Sequence, residues 1–200
     1  SEMGGGLDIV SGGELYRGVQ AGVPSERVVF AGVGKSDDEI AYALEQGVLM
    51  FNIESEDELR NIDRVAARVG KKACIAIRVN PDVDPKTHPY ISTGMKKAKF
   101  GIDITRAREQ YRTAAELANI DAIGLHCHIG SQITQAGPFQ EASEKVASCV
   151  RALREDGHDI RYINVGGGLG ITYNDEAPPT PSEYAAAILP QLKDLGCTLV

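Results

Sequence analysis

The chain has 200 residues, a formal net charge of −7 and a hydrophobic content of 42%. This acidic balance argues against nucleic acid or an acidic membrane surface as the main partner, although a local positive pocket for a small anion remains compatible with it. The composition is that of a folded globular chain, and no apolar run approaches the ~18 residues of a membrane-spanning helix.

Cysteine usage points to a reducing compartment. The four cysteines are far apart and form no C-x-x-C pair, so neither a zinc ribbon nor a disulfide framework is expected. The first residues, SEMGGG, do not read as a signal peptide. We therefore expect a cytoplasmic protein.

Apolar runs alternate with helical patterns along the whole chain. Strands are predicted at 7–11, 27–32, 48–53, 73–79, 120–129, 159–168 and 197–200. Helices are predicted at 14–22, 36–47, 55–70, 103–119, 138–156 and 182–196. Ser36 with Glu39 forms a capping-box pattern, and Gly47 is a typical helix stop. The same pattern recurs in the helix that follows.

Strict alternation of strands and helices predicts an α/β fold with a parallel sheet. Because the strands are continuous apolar runs, both faces of the sheet should be buried. A doubly wound sheet and a (β/α)8 barrel both satisfy these observations. The polar residues that follow several different strands favour the barrel. With seven strands, and with a strand at each end of the sequence, we expect residues 1–200 to form one incomplete TIM-type barrel domain.

A glycine-rich segment, Gly166-Gly167-Gly168-Leu169-Gly170, follows the strand YINV. Glycines at the end of a strand let the backbone approach a ligand and turn several N–H groups toward an anion, of which phosphate is the natural choice. A tight strand-to-helix turn without a ligand is the alternative. The segment is not a dinucleotide-binding fingerprint, because an irregular stretch separates it from the next helix.

The segment LHCHIGSQ places His126 and His128 on one face of a strand and Cys127 on the other. A metal site, a structural histidine pair, and a histidine packed on a flat cofactor with Ser131 at its phosphate are three interpretations of this pattern. No carboxylate or third histidine accompanies the pair in the strand, so we predict no metal.

Two charged residues lie inside predicted strands. Arg78 in AIRVNPD should face the interior and hold a permanent partner, either a carboxylate or a cofactor atom. Asp8 in LDIVS is expected to be a buried acid that needs a donor. Glu14 fits a helix surface and a pocket equally well.

The irregular segment 82–102 holds three lysines. A solvated basic face is the interpretation we favour for Lys96 and Lys97, whereas Lys99 precedes Phe100-Gly101, a pair that suggests an ordered turn. A structureless stretch of this length inside a compact domain is typically functional or disordered.

Six ordered motifs in this chain resemble the diaminopimelate decarboxylase family of pyridoxal-phosphate enzymes. The motifs are D-I-V-S-G-G-E-L (8–15), R-V-N-P-D-V (78–83), H-P-Y-I-S-T-G (88–94), K-F-G-I (99–102), H-C-H-I-G-S-Q (126–132) and N-V-G-G-G-L-G (164–170). The H-P-Y-I-S-T-G loop favours this family over the related ornithine and arginine decarboxylases.

The resemblance implies the barrel shared with alanine racemase and ornithine decarboxylase, from about its second to its eighth strand, without the C-terminal β domain. It implies that His128 stacks on the pyridine ring and that Ser131 helps to hold the phosphate of pyridoxal 5'-phosphate. It assigns the phosphate cradle to Gly166, Gly167 and Gly168. Arg78 and Asp8 would belong to the polar network behind the ring.

The resemblance also implies what this chain lacks. The family's Schiff-base lysine lies in a K-A-N motif and its acid partner in an E-P-G-R segment, and neither motif occurs in these 200 residues. We therefore expect an inactive fragment with no catalytic residue of its own. The complete enzyme would decarboxylate meso-2,6-diaminopimelate to L-lysine as a homodimer, with Lys99 near the partner. An ornithine or arginine decarboxylase fragment and a non-catalytic regulatory paralogue are the alternatives.

Overall fold

The computed structural model describes residues 4–84 and 100–200. The strands are β1 (Leu7–Ile9), β2 (Val28–Phe30), β3 (Met50–Ile53), β4 (Ala73–Asn80), β5 (Ile102–Asp103), β6 (Ile120–His126), β7 (Tyr162–Asn164) and β8 (Thr198–Leu199). The helices are α1 (Gly12–Gln20), α2 (Asp37–Gln46), α3 (Glu56–Val69), α4 (Ala107–Ala115), α5 (Gly137–Glu155) and α6 (Pro181–Leu192).

The chain divides into two compact units. The first comprises residues 1–77 and 109–123, and the second comprises residues 78–108 and 124–200. Strands β4 and β6 therefore each begin in the first unit and end in the second. The pairings β1–β2, β2–β3, β3–β4, β4–β5, β6–β7 and β7–β8 are parallel, as the alternation of strands and helices predicts.

In the first unit, the sheet runs in the order β1-β2-β3-β4. All residues of β2 and β3 are buried, which is the signature of a parallel strand covered on both faces. The rings of Phe30 and Phe51 stack with their centroids 5.9 Å apart at the centre of this core. Strand β1 pairs with β2 alone among the described strands and is only partly buried.

Helices α2 and α3 begin and end where the sequence predicts. The Ser36 hydroxyl accepts a hydrogen bond from the Glu39 N–H, the Glu39 carboxylate accepts one from the Ser36 N–H, and Gly47 ends the helix in the left-handed conformation. The Glu39 carboxylate also accepts from the Gly12 N–H at 2.9 Å, so one side chain serves the first turns of both α1 and α2. Local capping thus fixes two helix starts at once.

In the second unit, β6 pairs with β7 and β7 with β8, while β5 pairs with β4. Helices α5 and α6 pack together through an edge-on contact between Phe139 and Tyr184, whose ring centroids are 4.7 Å apart. The prediction of one long helix over 103–119 is wrong at its start. The Asp103 carboxylate accepts from the Thr105 N–H, which favours a short strand and a 3-10 turn before α4 begins.

None of the helices in residues 4–84 and 100–200 combines the length and the apolarity required to cross a bilayer. The lysines at positions 96, 97 and 99 and the H-P-Y-I-S-T-G loop lie outside the described residues, so the expectations for them stay predictions.

A buried cation stabilises the first unit at the ends of β2 and β3. Lys35 donates to the Gly32 carbonyl (2.7 Å), the Asn52 carbonyl (2.8 Å) and the Glu58 carboxylate (2.6 Å). Its side chain is 1% exposed and that of Glu58 is 13% exposed. Since all three donors of the ammonium group are used, this lysine links two loops and the first turn of α3.

We expect Lys35→Met to destabilise the protein by about 3 kcal/mol, because it leaves the Glu58 carboxylate in a largely buried position without its cation. The matched control is Arg60→Met, which breaks the exposed ion pair with Glu56 and should cost less than about 1 kcal/mol. Urea unfolding of the complete gene product measures both. Equal losses from the two variants would contradict the role given to Lys35.

Candidate functional site

The second unit brings His128 and the glycine-rich segment into direct contact. His128 lies two residues beyond the end of β6, and its Nδ1 is 2.6 Å from the carbonyl oxygen of Gly166. A carbonyl can only accept, so Nδ1 carries a proton in this contact. The contact fixes the plane of the imidazole.

Three consecutive glycines turn the backbone at this point. Gly166, Gly167 and Gly168 have φ values of 73°, 70° and 98°, a region that other residues rarely adopt. A Cβ atom on Gly166 would lie 2.3 Å from the Cys127 carbonyl oxygen, and one on Gly168 would lie 2.0 Å from the Gly130 carbonyl oxygen. A Cβ atom on Gly167 would meet nothing within 4 Å.

The backbone amides of the three glycines differ in whether they have a hydrogen-bond partner. The Gly166 N–H donates to the Asn164 side-chain oxygen at 2.9 Å, so this amide is used within the protein. In the part of the chain that the structure describes, the amides of Gly167 and Gly168 donate no hydrogen bond. The Asn164 side-chain nitrogen beside them is buried and also has no partner among the described residues.

These features fit a phosphate group. Adjacent backbone N–H groups without internal partners, next to an open space, are what an anion needs from a protein backbone. Ser131 adds an exposed hydroxyl on the loop that follows β6. The sequence prediction placed His128, Ser131 and the three glycines together, and the structure places all five in one compact unit.

Arg78 also lies in the second unit, on β4. Its guanidinium carbon is 5.2 Å from the centre of the Phe100 ring, a cation–π arrangement. Gly101 lets the chain pass close by, because a Cβ there would be 3.0 Å from the Arg78 carbonyl oxygen. An aromatic face is thus one partner of this arginine, whereas the sequence predicted a carboxylate or a cofactor atom.

The expectation of a buried acid at Asp8 is wrong. Asp8 is exposed on β1 in the first unit, where it lines a cleft of about 370 Å³ with Glu14 and Arg17. The physical reason is that β1 has a described neighbour on one side only, so its short apolar run is not covered on both faces. A role for Asp8 at the cofactor remains a prediction.

Sequence reasoning missed two residues that shape the site. Asn164 and Gln132 stand inside recognised motifs but received no role. Asn164 uses its backbone oxygen for the Cys127 N–H (2.9 Å) and its side-chain oxygen for the Gly166 N–H. A small amide residue just before a glycine run is the signal that could have revealed it, since such side chains cap nearby turns.

Across residues 4–84 and 100–200, no group of three or more His, Cys, Asp and Glu side chains is arranged to hold a metal ion. His126 is buried, while His128 is only half-buried and faces the glycine segment. The two histidines of the H-x-H motif therefore lie in different surroundings within the same unit.

Comparison with known proteins gives a consistent picture. Residues 1–198 match the family model of the pyridoxal-dependent decarboxylase pyridoxal-binding domain. The chain is 51% identical over 200 residues to a diaminopimelate decarboxylase of Aquifex aeolicus, covering 100% of this chain and 48% of that protein. It is 50% identical over 194 residues to the Haemophilus influenzae enzyme of the same name, covering 97% and 47%.

Solved structures of proteins with the same name also superimpose on this chain. Diaminopimelate decarboxylase from Helicobacter pylori complexed with L-lysine superimposes with a TM-score of 0.93 at 44% identity, over 97% of this chain and 49% of that one. An arginine decarboxylase from Paramecium bursaria Chlorella virus has a TM-score of 0.81 at 24% identity, which indicates a shared fold. The chain spans about half the length of these relatives. The predicted class, an α/β incomplete TIM-type barrel, is confirmed.

We expect Gly168→Ala to destabilise the protein by at least about 3 kcal/mol, since it adds backbone strain and a clash with the Gly130 carbonyl. Gly167→Ala should cost only the strain, about 1 kcal/mol. Gly157→Ala is the control, because Gly157 has a φ of 91° and open space around it at the end of α5. Urea unfolding would contradict this account if all three variants lost the same free energy.

Burial raises the pKa of the Cys127 thiol to about 12, with the charge of Arg78 partly opposing the shift. The folded pKa lies above the unfolded value, so folding favours the neutral thiol, and the stability it contributes is lost as the pH rises above about 8.5. We expect native Cys127 to resist iodoacetamide at pH 8 and its labelling rate to rise about tenfold per pH unit.

Peptide mass spectrometry follows this labelling, and the same reaction in urea gives the rate of the accessible thiol. Half-buried Cys197, which lies near Arg154, is the internal control and should react sooner than Cys127. Rapid native labelling of Cys127 at pH 8 would show that the thiol is not buried.

Proposed function

The chain belongs to the pyridoxal-dependent decarboxylase family through its pyridoxal-binding domain, and from this premise we propose that the complete gene product is a diaminopimelate decarboxylase. It would convert meso-2,6-diaminopimelate to L-lysine and CO2. The observation that carries the proposal is the contact between His128 and the glycine segment, which supports a flat ring beside the backbone that would hold the phosphate. The high identity to enzymes of that name supports the choice of substrate.

The residues that would hold pyridoxal phosphate follow from what each offers. The amides of Gly167 and Gly168 and the hydroxyl of Ser131 would bind the phosphate. Gly166 has a different task, because its N–H and carbonyl are already used by Asn164 and His128. It holds the imidazole in place rather than contacting the anion.

His128 would supply the flat surface against which the cofactor ring packs. Its orientation is set by the Gly166 carbonyl, so no rearrangement of the imidazole is needed when the cofactor binds. When bound, pyridoxal phosphate supplies the electron-withdrawing ring that stabilises negative charge at the carbon losing CO2. Arg78, which lies in the same unit as His128, would add a permanent positive charge to the polar surroundings of the ring.

We extend the proposal to assembly and location. A homodimer is the arrangement that the family resemblance implies, with Lys99 near the partner subunit. All four cysteines are free, which suits a reducing compartment such as the cytoplasm. Light scattering of the complete gene product tests the dimer.

The activity test is direct. The complete gene product, supplied with pyridoxal phosphate, should release CO2 from meso-diaminopimelate and form lysine, and should turn over ornithine and arginine at least a hundredfold more slowly. Preferential turnover of ornithine or arginine would replace the proposed substrate. No cofactor binding at all would favour a non-catalytic paralogue.

Two substitutions test the two roles of His128, the flat ring and the hydrogen bond to Gly166. We expect His128→Phe to keep a flat ring but lose the hydrogen bond to Gly166, and His128→Asn to keep a polar donor but lose the ring. Each should weaken pyridoxal phosphate binding by about tenfold, measured by titration of cofactor-free protein. An unchanged dissociation constant in both variants would contradict the role of His128.

A further inference from the structure

Gln132 has an unusual backbone conformation. Its φ is 55°, and among residues 4–84 and 100–200 it shares a positive φ with only one other non-glycine residue, Asp82. A left-handed conformation strains a residue that has a side chain, and such strain persists where the surrounding structure enforces it. Gln132 directly follows Ser131 in the loop after β6, so the strain lies next to the candidate phosphate site.

The side chain of Gln132 shows what this conformation achieves. Its Oε1 accepts a hydrogen bond from the Ile171 N–H at 3.0 Å, and its Nε2 donates to the carbonyl oxygen of the same residue. A primary amide has the same donor and acceptor as a peptide group, so Gln132 pairs with Ile171 as a neighbouring strand would. Both polar backbone groups of Ile171 are satisfied by this one side chain.

This pairing extends a short ladder between the two loops. The Ile133 N–H donates to the Gly168 carbonyl at 2.9 Å, and the Gly170 N–H donates to the Ile133 carbonyl at 3.0 Å. Gly170 permits the approach, because a Cβ there would lie 3.0 Å from the Ile133 oxygen. Gln132 therefore adds the last two hydrogen bonds of the ladder, at the point where the chain leaves the glycine segment.

The glycine segment is thus held at both ends. Asn164 fixes its entry through the Gly166 N–H, and the ladder with Gln132 fixes its exit. Between these two points lie the amides of Gly167 and Gly168, which have no partner among the described residues. Glycines cost more conformational entropy to order than other residues, so a run of them needs such external restraints to stay in one conformation.

We propose that Gln132 is a positioning residue for the phosphate seat: it pairs with Ile171 and so preforms the amides of Gly167 and Gly168 for an anion. The inference rests on the proposed function and deepens it. A preformed seat binds the phosphate without an ordering cost at the moment of binding. Without the pairing, the ligand itself has to order the amides of Gly167 and Gly168 when it binds.

The proposal predicts a large effect on the local order of the loop and a small effect on the global stability of the protein. Ile171 is 60% exposed, and hydrogen bonds near solvent contribute little to the free energy of unfolding. Breaking this pairing should change the opening of the loop far more than the unfolding midpoint of the whole protein. A purely structural role would give the opposite result.

Three variants distinguish the side chain from the backbone. Gln132→Gly removes the pairing and relieves the strain at φ 55°. Gln132→Asn tolerates the left-handed conformation but is one methylene too short to reach both groups of Ile171. Gln132→Glu keeps an acceptor for the N–H but turns a negative oxygen toward the Ile171 carbonyl. The control is Gln135→Ala, which changes an exposed glutamine three residues further along the same loop.

The experiment uses the complete gene product freed of cofactor and titrated separately with pyridoxal phosphate and with pyridoxal, which lacks the phosphate. We expect all three Gln132 variants to lose about tenfold in affinity for pyridoxal phosphate and to bind pyridoxal as the wild type does. Hydrogen exchange at the Gly170 and Ile171 amides should accelerate by a similar factor. Gln135→Ala should leave each value unchanged.

Different failures point to different conclusions. If the wild type binds pyridoxal phosphate and the Gln132 variants retain its preference for the phosphate, the inference is overturned while the proposed function stands. An equal loss of affinity for both ligands also overturns it, since the seat would then not be specific for the phosphate. If the wild type binds neither ligand, the proposed function fails and the inference fails with it.

Discussion

The contact between the Gly166 carbonyl and the His128 imidazole is the constraint on which the candidate site depends. It requires two loops to meet within 2.6 Å, and that approach is possible only because Gly166 carries no side chain. One hydrogen bond thus sets the plane of the ring, and the two amides that follow in the chain donate no hydrogen bond among the described residues. The ring surface and the anion seat are therefore parts of one arrangement rather than two independent features.

Much of this arrangement can be read from the sequence because it depends on local chemistry. The capping residues Ser36 and Glu39 and the stop at Gly47 act through neighbours in the chain, so their pattern predicts α2 correctly. The run of glycines after β7 indicates a backbone conformation in which side chains would clash with neighbouring atoms. His128 lies just beyond a strand end, where parallel folds place their ligands.

Other features depend on partners distant in the chain. Lys35 looks like any lysine between a strand and a helix, yet its ammonium group is buried by Asn52 and Glu58, which lie 17 and 23 residues away. Gln132 pairs with a residue 39 positions further on. The prediction of a buried acid at Asp8 is wrong because burial depends on which strands flank β1, and the apolar run alone does not contain that information.

The Glu39 carboxylate that serves two helices has a consequence for acid solutions. Hydrogen bonds from the Gly12 N–H and from Ser36 lower its pKa below the usual value, so its contribution is complete above that value and disappears as acidification protonates it in the folded state. Because α1 and α2 share this single acceptor, protonation weakens both amino-terminal turns together. Acid would loosen the first turns of α1 and α2 together, before the apolar centre of the unit, which includes β2, responds.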